Sequence, residues 1–214
     1  HQTLSSWRRE LNKALDIAGD HLSLKQLTIE PGTAIGSRHA RGGLQGLPTD
    51  DIAADMYFAT QELCETAGLP AYETSNHARP GSQSRHNLIY WRAGDYIGIG
   101  PGAHGRLTIE GERCATETPL DPNGWLHRVR TIGCGDNGLD PLTSEDSANE
   151  YAMMCLRLSE GLDLDRFSAM GGSLNAETLG DLTRMGLVNP QGRTLGITPE
   201  GRPILNAILR ELLV

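Results

Sequence analysis

The sequence predicts an α/β chain in two parts: a stretch of βα-barrel or open parallel sheet, then a small helical module with a β-wing. Three observations predict it. Helix-like and strand-like periodicities alternate from residue 4 to residue 104. A glycine-rich run from Gly133 to Pro141 then breaks the pattern, and we place the domain boundary there. Beyond it, three helical segments, a hairpin and a closing helix follow in the order of a winged helix.

Leu4, Trp7, Leu11, Ala14, Leu15 and Ala18 recur at helical spacing, with Thr3 or Ser5 as N-cap. The run from His21 to Ile29 puts Leu22 and Leu24 on one face and reads as a strand ending at Glu30-Pro31-Gly32-Thr33. A glycine-rich loop, Gly36 to Gly46, leads to a helix that starts at Thr49-Asp50-Asp51 and stops at Gly68. Its apolar stripe is Ile52, Met56, Ala59, Leu63 and Ala67. Short strands are expected over Leu69–Glu73 and Tyr96–Gly100, and strand-like turns over Arg106–Thr118. Asp121-Pro122-Asn123 caps a short helix reaching Ile132. In the second part, helices are expected from Thr143 to about Leu158, over Asp163–Met170 and over Ala176–Met185. A hairpin over Leu187–Ile197 and a helix over Pro199–Leu213 close the chain.

Composition excludes several classes. A net charge of −8 and a pI near 5.3 argue against nucleic acid as a partner, because phosphate binding needs a basic face. No apolar run approaches the roughly 20 residues that would span a bilayer, so no membrane insertion is expected. Cys64, Cys114, Cys134 and Cys155 lie far apart with no CxxC spacing. They form no sequence-local metal or cluster site, and the reading is cytoplasmic with reduced, mostly buried thiols.

The chain is organised around Tyr72-Glu73-Thr74-Ser75-Asn76-His77-Ala78-Arg79-Pro80-Gly81. Ser84-Arg85-His86-Asn87-Leu88-Ile89-Tyr90-Trp91 follows, and then Tyr96-Ile97-Gly98-Ile99-Gly100-Pro101-Gly102-Ala103-His104. Histidines and aromatics in a turn-rich stretch with no long amphipathic helix read as a loop-borne site at strand ends. By its residues alone, His86 is either an iron ligand or a turn-capping imidazole. Gly98, Gly100, Gly102 and Gly105 do not have the spacing of a phosphate-binding fingerprint; they permit close backbone approach.

This string resembles the HemN/HemW family of radical SAM proteins, on its heme-chaperone branch. The resemblance implies that residues 1–135 are the C-terminal part of a radical SAM βα-barrel carrying a heme-motif loop. It likewise implies that 142–214 are a winged-helix-like domain of the HemN C-terminal kind. It further implies a chain that starts in mid-barrel, upstream of which a CxxxCxxC segment would hold the [4Fe–4S] cluster. The heme motif becomes His86-Asn87-Leu88-Ile89-Tyr90-Trp91, with His86 as axial ligand to the iron, Asn87 beside it, and Tyr90 and Trp91 covering porphyrin. Arg79, Arg85 and Arg92 are the nearest cations for the heme carboxylates. Gln26, Thr28 and Glu30 fall where the family lines its S-adenosylmethionine (SAM) pocket, although Lys25 and His77 stand where relatives have aromatics. The implied activity is heme binding and delivery to acceptor proteins, respiratory enzymes among them, and a homodimer is consistent with it. Two other readings stay open: an oxygen-independent coproporphyrinogen III oxidase, and a structural fragment without its own activity.

Overall fold

A computed structural model describes residues 2–213, which form two compact units parting between Ser84 and Arg85. The first unit contains α1 (Leu4–Ile17), β1 (His21–Ser23), α2 (Ala34–Ala40), α3 (Asp50–Thr66) and β2 (Asn76–Ala78). Thr3 caps α1 in a reciprocal box: Ser6 N–H donates to Thr3 Oγ1 and Thr3 N–H to Ser6 Oγ. Thr49 caps α3 with Asp50 and Asp51 at its positive end. The two helices pack together, and Trp7 Nε1 donates to Thr60 Oγ1 at 2.8 Å. The buried face of α3 is Met56, Ala59, Thr60 and Cys64, while Ile52, expected on the stripe, is 40% exposed.

Both strands of this unit differ from expectation. β1 stops at Ser23 instead of reaching Ile29. Leu24 N–H still donates to Ser75 O at 2.9 Å, after which the chain turns to build α2. The Thr33 hydroxyl donates to Glu30 O and accepts from Gly36 N–H, so the expected Gly36–Gly46 loop begins inside a helix. The strand expected over Leu69–Glu73 lies instead at Asn76–Ala78. The buried Glu73 carboxylate accepts from Ser75 N–H at 3.2 Å and from Asn76 Nδ2, which closes a turn and folds 70–72 back onto 76–78. β2 pairs antiparallel with β1, with His21 opposite Ala78.

The second unit contains α4 (Arg85–Trp91), β3 (His104–Ile109), β4 (Glu112–Glu117), α5 (Pro122–Ile132), β5 (Leu139–Pro141) and α6 (Ser144–Cys155). It continues with β6 (Leu162–Asp163), α7 (Leu164–Ala169), α8 (Ala176–Arg184), β7 (Val188–Gln191), β8 (Thr194–Ile197), a 3₁₀ turn at Arg202–Ile204 and α9 (Leu205–Leu212). β3 and β4 form a hairpin whose tip, Glu110-Gly111, has positive φ at both residues, the geometry that matches strand twist. The stretch expected to link two domains, 133–141, supplies β5 to this sheet. Of the strand expected over Tyr96–Gly100 only Tyr96 pairs, exchanging both backbone hydrogen bonds with Arg106. The glycines beside it bring backbones together as expected. A Cβ on Gly98 would stand 2.3 Å from His104 O, and one on Gly105 2.4 Å from Thr116 Oγ1.

From α6 onward the order is helix, short strand, two helices, hairpin and helix, as expected for a winged-helix-like module. Its sheet runs β6-β8-β7. Ala148, Tyr151, Leu156, Phe167, Leu195 and Ile208 lie in one core cluster. Every strand pair among the described residues is antiparallel, so the parallel pairing read from the helix–strand alternation is not seen among them.

Candidate functional site

The residues expected to form the heme motif are helical, not loop-borne: they make up most of α4. Arg85–Trp91 contains neither glycine nor proline, and it lies between the Pro80-Gly81 turn and a left-handed stop at Ala93. Helical geometry puts His86 and Tyr90, four residues apart, on one face. The Tyr90 hydroxyl is hydrogen-bonded to His86 Nε2, and their rings meet edge to face at 4.6 Å. Tyr96 stacks edge-on against Tyr90 at 4.5 Å, extending the row to three rings. His86 is exposed, and Tyr90 and Tyr96 are half-buried. The chain just after Tyr96 carries Ile97 and Ile99, 72% and 85% exposed.

The C-terminal end of α4 is held by side chains from other elements. Cys155 Sγ donates to Trp91 O at 3.3 Å, Arg166 to Arg92 O at 3.1 Å, and Arg113 to Ala93 O at 3.0 Å. These carbonyls have no partners within the helix and would otherwise face water or go unpaired. Ala93 takes the left-handed position (φ 50°) that usually goes to glycine. Its methyl explains the choice, because it is buried in the core of the C-terminal module. Below the hairpin, Glu150 accepts from Arg106 and Arg113, and Asp95 lies 3.6 Å from Arg113.

In the first unit, Gln26, Thr28 and Glu30 are exposed on the connection between β1 and α2. Lys25 Nζ donates to Ser75 Oγ at 3.3 Å. His77 is 1% exposed and neither ring nitrogen has a hydrogen-bond partner. Burial, helped by the neighbouring His21, pushes its pKa down to about 4, so the ring is neutral near pH 7. His21 Nε2 is 2.9 Å from the Tyr72 hydroxyl. Among the described residues no three His, Cys, Asp or Glu side chains converge as a metal site.

Residues 142–204 match the HemN C-terminal domain. Over 212 residues the chain is 34% identical to the heme chaperone HemW of Escherichia coli (strain K12), covering 97% of this chain and 53% of that one. It is 33% identical over 223 residues to radical S-adenosyl methionine domain-containing protein 1, mitochondrial, of Bos taurus, covering 99% and 50%. A solved structure of coproporphyrinogen III oxidase (HemN) from Escherichia coli shares the fold, with a TM-score of 0.72 over 98% of this chain and 51% of that one, at 18% identity. The chain belongs to the HemN/HemW family. It spans about half the length of the curated relatives it matches.

In this HemN/HemW chain the four motif residues divide between two faces of α4. His86 and Tyr90 come together on the exposed face. Asn87 and Trp91 form the adjoining row, where Arg157 lies 6.0 Å from the centre of the Trp91 ring. The expected cations are mostly engaged elsewhere. Arg79 pairs with Asp20 at 3.1 Å and Arg92 with Glu160 at 2.7 Å, whereas Arg85 stands in no ion pair among the described residues. Sequence reasoning missed Tyr96 as the third ring. Six residues after Tyr90, it is brought back by its bridge to Arg106, which local periodicity does not encode. The exposed imidazole of His86 and the half-buried phenol of Tyr90 have the chemistry to hold an iron porphyrin. They place a nitrogen and an oxygen, both capable of ligation, on an open helix face with aromatic and apolar neighbours.

Proposed function

We propose that this chain is the heme-holding part of a HemW-like heme chaperone, binding heme on the His86–Tyr90 face of α4 and passing it to acceptor proteins such as respiratory enzymes. One observation carries the reading: an accessible imidazole and phenol, hydrogen-bonded to each other, on a helix of a chain 34% identical to a heme chaperone. The iron ligand comes from this pair, and Arg85 is the cation open to a heme carboxylate. Exposure suits delivery, because a ligand surrendered to another protein cannot be sealed in a core. In the complete protein the reading includes a [4Fe–4S] cluster and SAM, with Gln26, Thr28 and Glu30 as one wall of the SAM pocket.

The test is heme titration of the full-length protein. Saturation at a fixed stoichiometry is expected for wild type and for His127→Ala, an exposed histidine on α5. The double variant His86→Ala/Tyr90→Phe is expected to bind at least tenfold more weakly. Unchanged saturable binding by the double variant would reject α4 as the heme site.

A further inference from the structure

We infer that Tyr90 Oη, and not a ring nitrogen of His86, is the atom that meets the heme iron, with His86 receiving the phenol proton. This rests on the heme reading above and specifies its ligand. The two side chains are hydrogen-bonded, and which one donates follows from their acidities. A phenol O–H is a stronger hydrogen-bond donor than the N–H of a neutral imidazole, and the bare ring nitrogen is a stronger acceptor than a phenol oxygen. We therefore assign the Tyr90 O–H to His86 Nε2, the nearer of the two ring nitrogens (Nδ1 lies 3.3 Å from the hydroxyl), which leaves the imidazole hydrogen on Nδ1.

A neutral imidazole has one nitrogen lone pair. In this arrangement that lone pair is committed to Tyr90, so His86 can ligate iron only by abandoning the contact. The Tyr90 oxygen keeps its own lone pairs. Its ring is held from the other side by the edge contact with Tyr96, which fixes the direction in which the oxygen points. Tyrosine oxygen is a known axial ligand for heme iron. The step balances without an oxidant. The Tyr90 O–H bond breaks, its electron pair forms the bond to ferric iron, and the proton moves to His86 Nε2 along the existing hydrogen bond. The iron stays ferric, the phenolate offsets one of its charges, and the resulting imidazolium remains hydrogen-bonded to the phenolate. As a hard anionic oxygen donor, the phenolate favours ferric over ferrous heme, so reduction loosens the ligand.

The experiment compares ferric heme complexes of the full-length wild type with Tyr90→Phe, His86→Ala and the double variant. Absorption and resonance Raman spectra are recorded, and folding is checked by circular dichroism. Tyr90→Phe keeps the ring against Tyr96 and is expected to fold. Wild type should show a phenolate-to-iron charge-transfer band and phenolate ring modes. Tyr90→Phe should lose both. His86→Ala should keep the phenolate modes but bind about tenfold more weakly, and dithionite reduction of wild type should weaken binding by a similar factor. If Tyr90→Phe retains the wild-type spectrum and affinity while His86→Ala loses them, the inference is overturned and the heme reading stands with His86 as ligand. If the double variant matches wild type throughout, both are overturned.

Discussion

Loss of the Glu150 carboxylate should destabilise this structure, because two largely buried arginines depend on it. It sits on α6 with 15% of its side chain exposed, between Arg106 on β3 at 20% and Arg113 on β4 at 12%. Arg106 contacts it through Nε at 2.9 and 3.1 Å, and Arg113 Nη2 lies 3.3 Å away. Glu150→Ala leaves two largely buried guanidinium groups facing a void. Breaking a buried pair by removing one partner costs roughly 3–5 kcal/mol. Both arginines retain a backbone acceptor, Gly105 O for Arg106 and Ala93 O for Arg113, and Arg113 keeps Asp95. The lower end therefore applies, about 3 kcal/mol, which opens the β3–β4 hairpin and α6 about a hundredfold more often. Hydrogen exchange followed by mass spectrometry reads this directly as lost protection in peptides covering 104–117 and 144–155. Glu150→Gln, which keeps the volume and one acceptor, should fall between. Molar salt should not mimic either change, because buried pairs are poorly screened. A protection change below about threefold in Glu150→Ala would show that the carboxylate only balances its own desolvation, and the reasoning would fail.

Two further outcomes follow from buried titratable groups. The folded pKa of His77, about 4, lies below the ordinary value of about 6.5, so the unfolded chain takes up the proton first as pH falls. Its contribution is complete above pH 6.5 and disappears progressively towards pH 4, with an upper size on the order of 3 kcal/mol. His77→Phe removes that slope along with two unpartnered nitrogens, and urea midpoints measured from pH 7 to 4.5 check it; parallel curves for variant and wild type would refute it. Burial also pushes the Cys64 and Cys155 thiols up to about 11, whereas Cys134 is exposed. Iodoacetamide at pH 8 should label Cys134 first and reach the other two only on unfolding. Comparable early labelling of Cys155 in a mass-spectrometric time course would contradict its packing against α4.

What could be read from the sequence was what local chemistry encodes. Thr3, Thr49, Asp121 and Thr143 each cap the helix their position announced, because an N-cap needs only a side-chain oxygen and the next turn. The C-terminal helices and hairpin were legible for the same reason. The strand over 69–73 was misplaced because the real strand depends on the buried Glu73 carboxylate gathering donors from Ser75 and Asn76, a tertiary arrangement without period. α4 was read as a loop since seven residues are too few to show helical periodicity beside Pro80-Gly81. Once the segment is helical, the pairing of His86 with Tyr90 is plain from spacing alone. The engagement of Arg79 and Arg92 by Asp20 and Glu160 is not, since one partner lies 59 residues away and the other 68.

The brevity of α4 bears on why the C-terminal module is there. A helix of seven residues does not persist by itself in water, where about 12–15 residues are marginal. α4 must therefore take its order from what it touches. Those contacts come largely from one source: Cys155 on α6, Glu160 after it and Arg166 on α7 all bind backbone or side chain at Trp91 and Arg92, and Ala93 enters the core of the same module. These three side chains belong to residues 142–204, the part that matches the HemN C-terminal domain. These anchors gather at the C-terminal end of the helix, and His86 lies near the other end, exposed. The arrangement joins a held root to an open face. Rigidity at the root fixes where His86 and Tyr90 stand, and under the proposed heme reading openness at the tip would let a bound group leave. In this structure the small C-terminal module is thus the support on which α4 is built, and losing its grip at Trp91–Ala93 would dissolve the proposed site without touching His86 or Tyr90.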